Sequence, residues 1–126
     1  MKNSSENTLV PVLRISFPHE DRLGRGKMEL LEHIRETGSI SAGGRAMDMS
    51  YRRAWLLVSE MNRMFKHPVV ESQRGGQKGG GAALTAFGEE LLARFRQMER
   101  TILTTLADDL AWLESNRVID GTEPTA

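Results

Sequence analysis

Apolar residues recur every three or four positions in some stretches of the chain and run together as branched residues in others, and that alternation predicts its elements. LVPVLRISF (9–17) reads as a strand, held at the edge of any sheet by Pro11, and His19 to Gly26 as a charged turn. Between Lys27 and Glu36, Met28, Leu31 and Ile34 fall at helical spacing, and Gly38 stands where a C-cap residue ends such a helix. Ser39 then occupies an N-cap position and opens a second, short helix through Met47. Asp48-Met49 breaks the pattern, and Ser50 caps a third helix to about Phe65, with Ala54, Val58, Met61 and Phe65 as one apolar stripe. Pro68 stops further helix; VVES (69–72) and AAL (82–84) read as the two strands of a hairpin with GGQKGGG as its tip.

Thr85 caps the last helix, which is predicted to run unbroken to about Arg117. Its Leu91, Phe95, Met98, Ile102, Leu106, Leu110 and Leu113 advance in steps close to one helical turn. Such a seam is longer than a small domain covers, so it predicts a partner. The chain thus divides into a flexible N-terminus (1–8), a helical domain with a hairpin (9–84), a long helix (85–117) and a flexible tail (118–126).

A length of 126 residues accommodates one domain with a real core plus extensions. Cysteine is absent, which excludes disulfides and thiolate metal sites, and no apolar run approaches the roughly 20 residues that span a bilayer. A soluble, cytoplasmic protein without cofactor or metal is expected. Lys+Arg and Asp+Glu both total 17, so the net charge points to no partner, but its distribution does. Arg45, Arg52, Arg53, Arg63, Lys66, Arg74 and Lys78 face only Asp48, Glu60 and Glu71, a local charge of +4 between positions 45 and 78. From Thr85 to Asp120 the balance is −3. The basic half is where a polyanion belongs.

The glycine-rich tip raises the question of a phosphate cradle. A P-loop places Gly-Lys-Ser/Thr at the start of a helix, whereas Lys78 lies between Gln77 and Gly79 with no hydroxyl and no helix following. A dinucleotide fingerprint needs a βαβ unit rather than a hairpin. GSISAG (38–43) has Ser39 where a nucleophile elbow centred on Ser41 needs glycine. His19, His33 and His67 are far apart in sequence and lack ligand spacing, and the pairs Glu89-Glu90 and Asp108-Asp109 are adjacent residues that do not face each other on a helix. Acids early in a helix suit its dipole, so both pairs read as solvated face. Nothing here marks an enzyme.

Helix, short helix, tight break, third helix with arginines off its apolar stripe, then a glycine-tipped hairpin: that is the order of a winged helix-turn-helix, mainly α with a small β-hairpin wing. In it the third helix enters the major groove and the wing lies along the phosphate backbone. A solvated basic face on an ordinary core helix is the bland alternative, and the order of the flanking elements argues against it.

GSISAGGRAMDMSYRRAWLLVSEMN (38–62), the following PVVES and GGQKGGGAALTAFGEELL (75–92) resemble the DNA-binding half of the molybdate-responsive ModE regulators, whose helix-turn-helix is in turn similar to that of LysR-type regulators. The resemblance runs from about Leu9 to Leu110. It implies a winged-helix regulator that dimerises through its long last helix and represses molybdate-transport genes. It places Ser50, Tyr51, Arg52, Arg53 and Leu56 on the recognition helix. With Ser39 at the preceding cap and Arg74 and Lys78 in the wing, these are the residues expected on operator DNA. Leu91, Phe95, Met98, Ile102, Leu106 and Leu113 are those expected in the dimer. Trp55 is expected to be partly buried against the wing, because a large aromatic more often packs than reads bases. Gly43-Gly44 replaces the small helix formers usual in such motifs, at about 1 kcal/mol of helix propensity per glycine. Asp48 takes a turn position that favours a left-handed backbone. Family members that sense molybdate carry further oxyanion-binding domains; with the sequence ending at Ala126, no tight molybdate site is expected, and a separate effector protein or an oxyanion is left open as the signal. The rival readings are a protein–protein adaptor that uses the winged-helix face or the long helix, and a small oxyanion-binding protein.

Overall fold

The structure, a computed structural model, describes residues 8–73 and 81–118. Two short antiparallel strands, β1 (Arg14–Ser16) and β2 (Arg22–Gly24), open it, with Ile15 opposite Leu23. Helices α1 (Arg25–Thr37), α2 (Ile40–Ala46) and α3 (Tyr51–Met64) follow. A second antiparallel pair, β3 (Val70–Gln73) and β4 (Gly81–Leu84), leads into α4 (Ala86–Thr105) and α5 (Ala107–Asn116). This is the mainly helical, two-hairpin architecture of a winged helix-turn-helix.

The caps read from the sequence do their expected work. Gly38 ends α1 in the left-handed region at φ 74°, its N–H donating to the Ile34 carbonyl. Ser39, Ser50 and Thr85 side chains accept the N–H groups of Ala42, Arg53 and Gly88, at 3.0, 3.0 and 2.9 Å. Asp48 turns the chain between α2 and α3 at φ 60°. One hydrophobic core forms beneath these elements, from Met28, Leu30, Leu31 and Ile34 of α1, Ala54, Val58 and Met61 of α3, Val69 and Val70, Ala82 and Leu84, and Leu91, Leu92 and Phe95 of α4. Phe17, Phe65 and Phe87 stack beside it, with centroids 5.7 and 5.3 Å apart, joining the first hairpin, the end of α3 and the start of α4.

Gly43 and Gly44, read from sequence as a weakness of α2, are contact points. A Cβ on Gly43 would lie 2.8 Å from Ile34 Cγ1, and one on Gly44 would lie 2.7 Å from Ala54 Cβ. The propensity lost in α2 is exchanged for close approach of α1 and α3 on either side of it.

Three other expectations are corrected. The strand read over 9–17 is paired only at 14–16, because its partner β2 ends at Gly24 where α1 begins, and β2 lies in the segment read as a charged turn. The last helix is not continuous: Leu106, at φ −96° and ψ 11°, separates α4 from α5. Thr104-Thr105 are weak helix formers, and Asp108-Asp109 suit a fresh helix N-terminus, so the break falls between them. Leu91 and Phe95, expected in a dimer seam, belong to the protomer's own core; Phe95 is fully buried. Only the later part of that row, Met98, Ile102, Leu106 and Leu113, is left partly or largely uncovered.

Candidate nucleic-acid interface

The buried stripe of α3 fixes what the helix shows to solvent. With Ala54, Val58 and Met61 turned inward, a rotation of 100° per residue places Arg52, Leu56, Ser59 and Arg63 along the opposite ridge. Arg52, Leu56 and Arg63 are exposed and Ser59 is half-buried. Tyr51 and Trp55 stand on one shoulder of this ridge, and Arg53 with Leu57 on the other, where they line an open groove of about 660 Å³ between α3 and the β1–β2 hairpin. Arg52 and Arg53, adjacent in sequence, therefore diverge.

Charge sorts the arginines into two kinds. Arg35 pairs with Glu89 at 2.9 Å, Arg94 with Glu90 at 2.7 Å, and Arg96 with both Glu32 and Glu99 at 2.7 and 2.8 Å. Among the described residues, Arg52, Arg53 and Arg63 have no carboxylate partner. The one acid of α3, Glu60, is engaged by Lys27 at 3.2 Å, and that lysine is itself buried and donates to the Arg22 carbonyl at 2.6 Å. The outward ridge of α3 thus presents positive charge that no neighbouring side chain neutralises.

The helix is held to the wing by one amide. Asn62 Oδ1 accepts the Val69 and Val70 N–H groups at 2.7 and 3.1 Å, and its Nδ2 donates to the Val70 carbonyl at 3.1 Å. On the other side, the Thr85 hydroxyl donates to the Pro68 carbonyl at 2.6 Å, and the Ala82 N–H donates to the Gly38 carbonyl at 2.8 Å. α3 and the hairpin base therefore share one hydrogen-bonded frame.

Tyr51, Arg52 and Leu56 of α3 are exposed. The oxygens of Ser39 and Ser50 are occupied as caps. Arg74 and Lys78 lie outside the described residues. Trp55 is more exposed than expected, at 46%, and its indole N–H donates to the Tyr51 hydroxyl one turn earlier. Sequence reasoning counted Arg63 in the basic segment but did not place it among the expected DNA contacts, although its distance of eleven residues from Arg52 marks the same ridge. It also passed over Asn62, whose role depends on strand groups that no local pattern reveals. Among the described residues, no helix is long and apolar enough to cross a membrane, and no cluster of His, Asp or Glu side chains is placed to hold a metal ion.

No protein-family model matches the chain. It is 38% identical over 86 residues to the DNA-binding transcriptional dual regulator ModE of Escherichia coli, covering 66% of this chain and 33% of the relative. It is 42% identical over 86 residues to the molybdenum-pterin-binding protein MopB of Rhodobacter capsulatus, covering 68% and 32%. With MopA of the same organism, identity is 33% over 102 residues, covering 81% and 38%. The chain spans about a third of the length of the curated relatives it matches. Over about two thirds of its own length the chain is homologous to the ModE transcriptional regulators and the Mop proteins, and it carries a ModE N-terminal-like region.

Proposed function

We propose that this protein is a sequence-specific, DNA-binding transcriptional regulator that acts as a two-fold dimer and represses genes of molybdenum transport or metabolism. The observation that carries the reading is the unneutralised ridge of Arg52 and Arg63 on an α3 whose inner face is locked and whose end is tied to the wing. An α-helix of this kind fits the major groove, where an arginine donates bidentately to guanine O6 and N7. Lys78 in the wing supplies a phosphate contact, which adds affinity without sequence information. The regulatory role and its connection with molybdenum rest on the names of the homologues, ModE among the regulators and MopA and MopB among the binding proteins.

Selection of bound duplexes from a random library, followed by a salt titration on the winning sequence, tests the reading. Arg52→Ala is expected to cost about 1–3 kcal/mol and to relax preference at one position. Lys78→Ala is expected to weaken all sequences alike and to reduce the slope of log K against log salt by roughly one. Unchanged affinity after joint removal of Arg52, Arg53, Arg63 and Lys78 would refute DNA binding through this face. A protein that selects no duplex would belong to the adaptor class instead.

A further inference from the structure

The outward ridge of α3 contains one residue that charge does not explain. Leu56 is 53% exposed and stands one turn after Arg52, with Arg63 two turns further along the same ridge. Beside it, Tyr51 and Trp55 are 55% and 46% exposed, so the three form an apolar patch on a helix whose Arg52 and Arg63 have no carboxylate partner among the described residues. The flanking charges set the kind of partner that reaches the patch, a polyanion. Among the groups a DNA major groove displays, hydrogen-bond donors and acceptors offer nothing to an aliphatic side chain; the thymine 5-methyl is the apolar one. The indole N–H of Trp55 is already donated to the Tyr51 oxygen, so Trp55 presents carbon rather than a donor. The Tyr51 hydroxyl, accepting that bond, keeps its own hydrogen for a phosphate oxygen.

We propose that Leu56, backed by Trp55, is a specificity-determining residue that reads a thymine methyl group in each half-site; this rests on the DNA-binding reading above. The test uses a duplex selected by the wild-type protein from a random library, in which each thymine of one half-site is replaced in turn by deoxyuridine. That exchange deletes a methyl and leaves every hydrogen-bonding group in place. Wild-type affinity is expected to fall roughly fourfold, the worth of one buried methyl-sized group, at one or two positions and nowhere else. Leu56→Ala is expected to weaken binding to the thymine duplex by a similar factor and to lose the methyl dependence at one of those positions. Because Leu56 is exposed and alanine is the better helix former, the variant keeps its fold.

Tight, salt-dependent binding that ignores every methyl would overturn the inference and leave the DNA reading standing. Leu56→Ala retaining the full methyl dependence would also overturn it. Failure to enrich any duplex would remove both together.

Discussion

Gly88 stands at the first turn of α4, where a Cβ would lie 2.2 Å from the Val69 carbonyl oxygen. That oxygen is held in place, since it accepts the Thr85 N–H at 3.0 Å. Alanine would gain up to about 1 kcal/mol of helix propensity, but the overlap falls on backbone, and overpacking of this kind costs about 1–3 kcal/mol. Overpacking wins, so Gly88→Ala should destabilise by about 1–2 kcal/mol, seen as a lower urea midpoint with an unchanged slope. Gly26→Ala is the control: it too is helical, nothing lies within 4 Å of its Cβ direction, and it should stabilise by a few tenths to about 1 kcal/mol. Equal effects of the two substitutions would dismiss the close-contact account. At this scale the sequence is only partly legible. Gly38 and Asp48 could be read because a positive φ is a property of the residue's own backbone. Gly43, Gly44 and Gly88 could not, because what they accommodate comes from elsewhere in the chain.

Helices could be read with their caps, since a hydroxyl followed by an apolar stripe is local information; the β1–β2 pair could not, because two of the three residues of β2 carry no apolar signal and its partner begins beyond a turn with His19 and Glu20 at positive φ. How elements are tied together was equally hidden. Arg96 of α4 reaches Glu32 of α1 with two hydrogen bonds, at 2.7 and 3.1 Å, across 64 residues. Those hydrogen bonds, with the guanidinium charge behind them, hold the Glu32 carboxyl below the ordinary carboxylate range against the opposing effect of burial. The same bonds push the Arg96 pKa up, so arginine stays charged throughout and only the carboxylate titrates. A carboxylate with a depressed folded pKa contributes stability that is complete above its unfolded value, about 4.3, and is lost as pH falls through the folded one. Glu32→Gln should therefore cost about 1 kcal/mol at neutral pH, where the bond is charge-assisted but only partly buried. The gap between variant and wild type should close below pH 4. A gap that persists undiminished into acid, in parallel denaturation series, would assign the loss to packing instead.

At the scale of the whole molecule, the row of α4 that begins in the core at Leu91 and Phe95 runs off the end of the domain. Met98, Leu103, Leu106, Trp112 and Leu113 are all more than a third exposed, and no residue of α5 is buried. Sequence periodicity saw one long seam, because a period cannot tell where the domain beneath a helix stops; the structure divides that seam into a part the protomer covers and a part it does not. An apolar surface of this kind calls for a second protein surface, and a second copy related by two-fold symmetry satisfies it with the same residues on both sides. The charge layout agrees with the proposed use: the segment from 85 to 120 carries a net −3 and the segment from 45 to 78 a net +4, so the basic surface proposed for DNA is separate from the surface proposed for the dimer. Two α3 helices related by that axis would meet half-sites one DNA turn, roughly 34–36 Å, or a multiple apart. Ile102→Asp combined with Leu106→Asp would put four charges into the seam of the proposed dimer while sparing the core. Sedimentation at micromolar concentration should then show a monomer with unchanged helical content, and operator affinity should lose the roughly 10²–10⁴-fold gain that joining two binding modules confers. Wild-type protein sedimenting as a monomer under the same conditions would show that the exposed row serves some other partner.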